Sequence, residues 1–278
     1  MKTFITLLLF SISISGLWAQ TCCKVSPDAQ FAALGKEKEF RDAHPLPKEI
    51  SHPKAAGKLI TISVEGGDEA QAYLIKAAKP TDKYLFVFQE WWGLNDNIKA
   101  EADRLHKALG AKVNVLAIDL YDGKIATTRK AAAEFMQAAK AERCEAIISA
   151  ALKYAGNNAK IATIGWCFGG GWSLQGAIIA GKQTLGTVMY YGMPETDPTK
   201  LAKLQTDVLA VYATQDKWIN KKTADDFEAN MKTANKKVRS LFYEADHAFC
   251  NPSNPSFNEK EAKKANLEAL NYLKEKLK

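Results

Sequence analysis

The chain has 278 residues, of which 47% are hydrophobic and 25% charged, and its formal net charge at pH 7 is +7. This composition fits one large α/β domain or two small domains, and it excludes a chain that is disordered throughout. The positive charge lies in scattered lysine pairs without interleaved aromatic residues, which is typical of solvated helix faces. We therefore expect no nucleic-acid partner.

The first residues of the chain have the pattern of a signal peptide. Lys2 supplies a positive charge, residues 4–17 are almost entirely apolar, and Ala19 precedes a plausible cleavage point. The apolar stretch is short for a membrane span. We expect residues 1–19 to be removed and the chain to be exported, either to a periplasm or as a secreted protein. A lipid anchor on Cys22 is the less favoured alternative, because no small residue directly precedes it.

Residues 20–57 form a predicted N-terminal arm. A helix start signal at Ser26 and three later prolines indicate a short helix followed by an irregular segment. We expect this arm to wrap over the main domain, residues 58–278, and its sequence indicates no chemistry. The domain begins with alternating strand patterns at 59–64 and 70–76 around a Gly-Gly turn, which predicts an antiparallel hairpin.

From residue 84 onward, short apolar runs alternate with helical patterns. Strands are predicted at 84–88, 113–118, 161–164, 187–191, 208–213 and 239–243. Helices are predicted at 96–109, 128–155, 172–180, 223–234 and 258–278. This alternation predicts an α/β fold with a mostly parallel, doubly wound sheet. Ligands bind such sheets at the carboxyl ends of the strands. Six reactive or polar residues fall at or just past predicted strand ends: Glu90, Asp119, Cys167, Tyr191, Asp216 and His247.

The segment Gly165-Trp-Cys-Phe-Gly169 joins a predicted strand directly to an apolar helical segment. Glycines on both sides of a central reactive residue are typical of the nucleophile elbow, with Cys167 here in place of serine. Taken alone, the five residues also fit a phosphate-binding turn or a buried structural cysteine. The Lys-Ser/Thr pair of a P-loop is missing, which disfavours the phosphate-binding interpretation.

A thiol nucleophile needs a base, and the chain has four histidines. His44 and His52 belong to the arm, and His106 lies on a predicted helix, where we expect it to face solvent. Only His247 follows the last predicted strand, in a loop, and it comes after the nucleophile in the chain. We predict that His247 is the base.

The base in turn needs an acid that orients it. Asp216 follows the strand at 208–213, and the chain order nucleophile, acid, histidine is that of α/β-hydrolases. Asp246 is a rival because it adjoins His247, but neighbouring side chains usually diverge. We predict that Asp216 is the acid.

Five cysteines remain, and their number is odd. No C-x-x-C spacing exists, so a zinc or thioredoxin-like site has no support, and we expect neither a metal nor a cofactor. Four cysteines could form disulfides in an oxidising compartment, in a pattern that the sequence leaves open: Cys22, Cys23, Cys144 and Cys250.

Over roughly residues 57–278 the chain resembles the dienelactone hydrolase family of α/β-hydrolases. Four motifs carry the resemblance, in the family's order. They are Gln89-Glu90-Trp91-Trp92-Gly93, Asp119-Leu120-Tyr121, Gly165-Trp166-Cys167-Phe168-Gly169-Gly170, and the acid and base positions at Asp216 and His247.

The resemblance implies a reaction and a role for each residue of the triad. Cys167 would attack an ester, lactone or thioester carbonyl, as in carboxymethylenebutenolidase, and form an acyl-enzyme intermediate. His247 would take and return the proton, and Asp216 would hold the imidazole.

The resemblance also implies roles around the nucleophile. The backbone N–H groups of Trp91 and Phe168 would form the oxyanion hole. Glu90 would control ionisation of the thiol, since a carboxylate beside a thiol opposes thiolate formation. This control would also shield an exported thiol from oxidation.

One departure from the family leaves the substrate open. Dienelactone-cleaving members bind the substrate carboxylate with arginines after the Asp-Leu-Tyr motif and after the base, and neither arginine is at the matching place here. Lys124 or Arg129 could replace the first. The pocket is predicted to be aromatic, with Trp92, Tyr121, Lys124 and Tyr191 as candidate contacts. The alternative to an enzyme is a non-catalytic protein that binds a small molecule, and we expect a monomer in either case.

Overall fold

The computed structural model describes residues 26–48, 50, 52 and 54–278. The predicted signal peptide, residues 1–19, lies outside the described residues, and so do Cys22 and Cys23. Among the described residues, no helix has the length and apolar character that crossing a membrane requires.

Eight strands form a single sheet in the described part of the chain. They are β1 (Lys58–Ile62), β2 (Ala70–Ile75), β3 (Lys83–Phe88), β4 (Asn114–Ile118), β5 (Lys160–Trp166), β6 (Thr184–Tyr190), β7 (Val208–Ala213) and β8 (Val238–Tyr243). Their spatial order is β1-β2-β4-β3-β5-β6-β7-β8. The first two strands form the predicted hairpin, β2 also pairs antiparallel with β4, and the remaining neighbours are parallel. The predicted fold class is confirmed.

The central strands are buried on both faces of the sheet. Every residue of β4 and β7 is buried, although successive side chains of a strand point to opposite faces. Buried strands of this kind, which are apolar here except for Asn114 at the start of β4, are expected where helices cover both sides of a parallel sheet.

Nine α-helices are found among the described residues. They are α1 (Pro27–Leu34), α2 (Lys38–Asp42), α3 (Asp96–Ala108), α4 (Arg129–Ala138), α5 (Ala141–Ala155), α6 (Phe168–Ala180), α7 (Pro198–Leu201), α8 (Lys221–Thr233) and α9 (Glu259–Lys276). A 3₁₀ turn at Gly181–Gln183 follows α6.

The prediction of one helix over 128–155 is wrong, because the chain bends between α4 and α5. Ala139 and Lys140 have extended backbone, with ψ of 95° and 137°. The bend lets the two helices pack on different surfaces: α4 contacts α1 and α2, whereas α5 contacts α6 and the sheet. No glycine or proline marks the bend in the sequence.

The N-terminal arm packs against the domain through α1 and α2. Phe31 and Phe40 are buried, with their ring centroids 5.8 Å apart. Phe40 also meets Trp91 and Trp218 edge-on, at 5.5 and 5.2 Å. The arm therefore contributes its own aromatic side chains to the core of the molecule.

Replacing Phe40 with alanine tests whether the arm folds together with the domain. Phe40 is completely buried, so Phe40→Ala should lower the free energy of unfolding by about 3–5 kcal/mol. The measurement is urea unfolding followed by tryptophan fluorescence. Leu46→Ala is the control from the same arm, because Leu46 is 48% exposed and should change stability by less than about 0.5 kcal/mol. Equal effects of the two substitutions would show that the arm is not part of the cooperative unit.

Candidate active site

Cys167 stands at the turn between β5 and α6 with a strained backbone. Its φ is +57° and its ψ is −120°, a conformation that costs a non-glycine residue free energy and clusters at functional sites. The neighbouring glycines make the turn possible. A Cβ on Gly165 would lie 2.0 Å from the carbonyl oxygen of Gly169, and one on Gly169 would lie 2.3 Å from that of Gln89. The backbone arrangement is that of the predicted elbow.

Helix α6 begins at Phe168, four residues before the predicted start at residue 172. Gly169, Gly170 and Gly171 belong to its first turn, and glycine is a poor helix former, so the sequence pattern concealed the start. The early start places the Cys167 side chain directly at the helix N-terminus. The positive end of the helix dipole favours a thiolate at this position.

Asp216 and His247 meet in a buried hydrogen bond. The Nδ1 of His247 lies 2.5 Å from Oδ2 of Asp216, and both side chains are at most 2% exposed. The other carboxylate oxygen of Asp216 accepts hydrogen bonds from the backbone N–H groups of Trp218 and Ile219, each at 2.9 Å. The rival Asp246 instead accepts from the backbone N–H of His247, at 2.7 Å. Asp216 is thus the acid that contacts the ring.

The pKa values of this pair follow from burial and mutual attraction. Burial alone would raise the pKa of Asp216, but the charge of His247 and the hydrogen bonds to the carboxylate lower it. Burial alone would lower the pKa of His247, but the charges of Asp216 and Cys167 raise it well above its ordinary value. The imidazole can therefore hold a proton taken from the thiol.

Cys167 is 2% exposed, and burial raises the pKa of its thiol. The charge of Glu90 also raises this pKa, whereas the charge of His247 lowers it. The backbone N–H of Phe168 donates to the sulfur and lowers the pKa as well, because it stabilises the thiolate. The Nε2 of His247 has no hydrogen-bond partner among the described residues. The sulfur and one His247 ring nitrogen lie within 4.8 Å of each other.

Glu90 lies at the carboxyl end of β3 and is 5% exposed. Burial raises its pKa to about 7, although the hydrogen bond from Asn251 and the charge of His247 both lower it. The Nδ2 of Asn251 donates to Oε2 of Glu90 at 2.6 Å. Glu90 is therefore poised to change charge near neutral pH and to act on the pKa of Cys167 through space.

The two predicted oxyanion-hole residues belong to adjacent elements. Trp91 follows β3, and Phe168 opens α6, where its N–H is already directed at the Cys167 sulfur. A Cβ on Gly169 would meet the backbone of Phe88 at 2.4 Å, so the first turn of α6 lies directly on the end of β3. This close approach is the arrangement that two convergent backbone donors need.

Three of the four predicted pocket residues are buried near the elbow, and one is not. The Tyr191 ring lies 4.9 Å from that of His247, the Tyr121 ring 5.2 Å from that of Phe168, and Trp92 meets Trp91 edge-on at 4.9 Å. Lys124 is exposed, with its Nζ 5.8 Å from the ring centre of Phe135.

Tyr121 and Tyr191 are available as hydrogen-bond donors. Neither hydroxyl has a partner within the described ranges. Burial raises the pKa of both side chains well above the ordinary value, so both hydroxyls keep their protons.

His44 is the site residue that the sequence did not reveal. Its ring lies 4.8 Å from that of His247 and 5.1 Å from that of Trp91, and the residue is 2% exposed. Burial, together with the charge of His247, lowers its pKa to about 3. His44 comes from the proline-rich arm, where no local pattern predicts which side chain will reach the domain. The other two histidines lie elsewhere: His52 contacts Asp103 at 2.8 Å, and His106 is half-buried on α3 rather than facing solvent.

A cavity of about 320 Å³ adjoins the site, with Glu90 in its wall. Lys48, Arg104, Trp166 and Asn251 contribute to its wall. The Arg104 guanidinium is held by both carboxylate oxygens of Glu101, each at 2.6 Å. This pairing leaves the cavity without an unpaired arginine.

The described cysteines are free thiols: Cys144, Cys167 and Cys250. The pKa values of Cys144 and Cys250 are both raised, and burial is the largest cause in each case. Neither has a base arranged like His247 beside it, so Cys167 is the described thiol with a partner for deprotonation.

Comparison with known proteins gives a consistent result. The model of the dienelactone hydrolase family matches residues 70–277. A curated protein of Saccharolobus solfataricus named "Putative carboxymethylenebutenolidase" is 26% identical over 238 residues, which cover 72% of this chain and 91% of that protein.

Two solved structures show the same fold. A dienelactone hydrolase-like promiscuous phosphotriesterase from metagenomic libraries superposes with a TM-score of 0.67 and 20% identity, covering 80% of this chain and 99% of the other. A dienelactone hydrolase from Anabaena variabilis superposes with a TM-score of 0.60 and 15% identity, covering 80% and 98%.

Removing the charge of Glu90 should make Cys167 more reactive at alkaline pH. Above pH 7 the ionised Glu90 raises the pKa of the thiol, so in Glu90→Gln peroxide should oxidise Cys167 about three- to tenfold faster at pH 8. The difference should shrink below pH 6, where Glu90 is protonated in the parent as well. Peptide mass spectrometry of the Cys167 peptide measures both rates.

Glu195→Gln is the matched control for this comparison. Glu195 is also buried, but its carboxylate accepts from the backbone N–H groups of Thr196 and Asp197. Equal oxidation rates in Glu90→Gln and the parent at pH 8 would show that Glu90 does not restrain the thiol.

Proposed function

Because the chain belongs to the dienelactone hydrolase family of ester and lactone hydrolases, we propose that it cleaves ester, lactone or thioester bonds through a Cys167-His247-Asp216 triad. The observation that carries the proposal is the buried Asp216–His247 hydrogen bond, at 2.5 Å, beside a thiol on a strained elbow. A base held by an acid beside a nucleophile is the minimal set for acyl transfer.

The first half-reaction transfers the acyl group to the enzyme. As the Cys167 sulfur bonds to the carbonyl carbon, its proton passes to Nε2 of His247. The tetrahedral intermediate then collapses, the bond from the carbonyl carbon to the leaving oxygen (to sulfur in a thioester) breaks, and His247 returns the proton to that atom. In a lactone, the leaving group stays attached to the acyl chain.

The second half-reaction releases the acid. A water molecule attacks the thioester carbonyl while His247 takes one of its protons. The carbon–sulfur bond breaks and the thiolate regains the proton from His247, which restores the starting state. Asp216 keeps Nδ1 of the ring as the donor throughout, so that Nε2 faces the reacting atoms.

The negative oxygen of each tetrahedral intermediate needs fixed hydrogen-bond donors. The backbone N–H groups of Trp91 and Phe168 are our proposed donors, and such a donor is worth roughly 3–4 kcal/mol in the transition state. The start of α6 adds its dipole at the same place. Glu90 is a positioning residue in this scheme, since its charge sets the ionisation of Cys167 before substrate binds.

The surroundings of the site offer a substrate carboxylate no unpaired arginine, and the other cation in the wall of the adjoining cavity, Lys48, is exposed. The arginine in the adjoining cavity is paired with Glu101, and Lys124 is exposed beside Phe135. Neither offers the carboxylate contacts that dienelactone-cleaving relatives have. We therefore propose short, uncharged esters or lactones, oriented by the free hydroxyls of Tyr121 and Tyr191.

Two further features complete the proposal. Since Cys167 and His247 are only 2% and 3% exposed, side chains around them must move before substrate enters. The signal-peptide pattern at residues 1–19 supports an exported hydrolase, acting in a periplasm or outside the cell.

Hydrolysis of p-nitrophenyl acetate tests the proposed nucleophile. Cys167→Ala should lower kcat/KM by at least about a thousandfold, because the covalent route is lost. Cys144→Ala is the control: Cys144 is an equally buried thiol on α5, whose sulfur contacts the Leu120 carbonyl oxygen at 3.9 Å, and its loss should change the rate less than about twofold.

Two outcomes would contradict the proposal. Undiminished turnover by Cys167→Ala would assign the chemistry to another group. Absence of turnover by the parent on a panel of short esters and lactones would favour the alternative of a non-catalytic binding protein.

A further inference from the structure

Three possible metal ligands converge at the elbow from distant parts of the chain. One ring nitrogen of His44, one of His247 and the sulfur of Cys167 all lie within 4.8 Å of one another. All three residues are buried, at 2–3% exposure. His44 comes from the arm, Cys167 from the elbow and His247 from the loop after β8.

Both imidazoles are held in the orientation that metal ligation requires. The Nδ1–H of His44 donates to the Phe40 carbonyl oxygen at 2.5 Å, which leaves the lone pair on Nε2. The Nδ1 of His247 is held by the Asp216 carboxylate, also at 2.5 Å. Metal-binding histidines are usually fixed in this way by a backbone carbonyl or a carboxylate. Each Nε2 is buried and has no hydrogen-bond partner within the described residues. A metal ion that binds there displaces any proton that Nε2 of His247 holds.

We propose that His44, Cys167 and His247 bind a thiophilic divalent cation, Zn²⁺ above all, and that the bound ion blocks hydrolysis. Two imidazoles and a thiolate suit tetrahedral Zn²⁺, with water as the fourth ligand, whereas Mg²⁺ and Ca²⁺ need oxygen ligands. Zn–N bonds of about 2.0 Å and Zn–S bonds of about 2.3 Å place tetrahedral ligand atoms about 3.3–3.6 Å apart. The three ligand atoms lie within 4.8 Å of one another, so each side chain must move inward by about 1 Å to reach these distances.

Binding of the ion removes the two groups that hydrolysis needs. The Cys167 thiol gives its proton to solvent as the sulfur–metal bond forms, and the His247 lone pair is used by the metal. Inhibition by Zn²⁺ rests on the proposed function, but binding of the ion does not. His44 distinguishes the metal site from the triad, because it would bind the ion but takes no part in the proposed acyl transfer.

Cobalt provides a direct optical test of the ligand set. Co²⁺ is titrated into the reduced protein in a Cys22→Ala/Cys23→Ala background, which removes the two thiols outside the described residues. The expected result is one equivalent bound, with a thiolate-to-cobalt charge-transfer band and the visible bands of a tetrahedral ion. Cys167→Ala should lose the charge-transfer band, while Cys144→Ala should keep it.

Competition with Zn²⁺ then tests the contribution of His44. His44→Phe keeps a ring among Phe40, Trp91 and Trp218 but has no ligand nitrogen, and it should bind Zn²⁺ at least about tenfold more weakly. Thermal melting of the variant checks that it is folded. In the Cys22→Ala/Cys23→Ala background without further substitution, Zn²⁺ should also slow alkylation of Cys167 by iodoacetamide at least about tenfold. EDTA should restore the rate.

Three results would overturn the proposed site. The first is that the Cys22→Ala/Cys23→Ala protein shows no charge-transfer band with Co²⁺. The second is that folded His44→Phe binds Zn²⁺ as tightly as its parent, and the third is that Zn²⁺ does not slow alkylation of Cys167. If the protein hydrolyses esters at the same rate with Zn²⁺ bound, the proposal that the ion blocks hydrolysis is wrong. If the metal-free protein hydrolyses no ester, the proposed hydrolysis fails, while the cobalt spectrum still decides the metal site.

Discussion

The contact between the Asp216 carboxylate and the His247 imidazole sets the arrangement of the whole site. Both side chains are almost completely buried, and removing one partner of such a pair costs about 3–5 kcal/mol because the other stays buried and uncompensated. Strands β7 and β8 are adjacent and parallel, so the loops that follow them deliver the acid and the base to the same edge of the sheet. The ring is thereby fixed with Nε2 toward Cys167, which the strained elbow presents at the start of α6.

The N-terminal arm adds a second constraint to this site. Phe40 packs edge-on against Trp91 and Trp218, and His44 lies against the His247 ring. Substrate access, stability of the arm and the chemical state of the triad are therefore connected through one aromatic cluster. The arm is thus the source of the second imidazole, His44, beside the triad.

The sequence predicted the parts of the structure that depend on local pattern and strand order. Strand β7 has the predicted bounds, and Asp216 and His247 meet because both follow neighbouring parallel strands. Features that depend on tertiary packing were missed. The bend at Ala139 has no glycine or proline to mark it, and the start of α6 is hidden in three glycines. The position of His44 depends on where Phe40 packs, which no spacing within the arm encodes.

Trapping the acyl-enzyme is the most direct test of Cys167 as the nucleophile. The protein is mixed with excess p-nitrophenyl acetate, quenched in acid during turnover, digested and analysed by mass spectrometry. We expect an acetyl adduct on the peptide that contains Cys167, and none on the peptides of Cys144 or Cys250. An adduct on a different residue, or continued turnover with Cys167 never acylated, would contradict a thiol nucleophile held ready by His247 and Asp216.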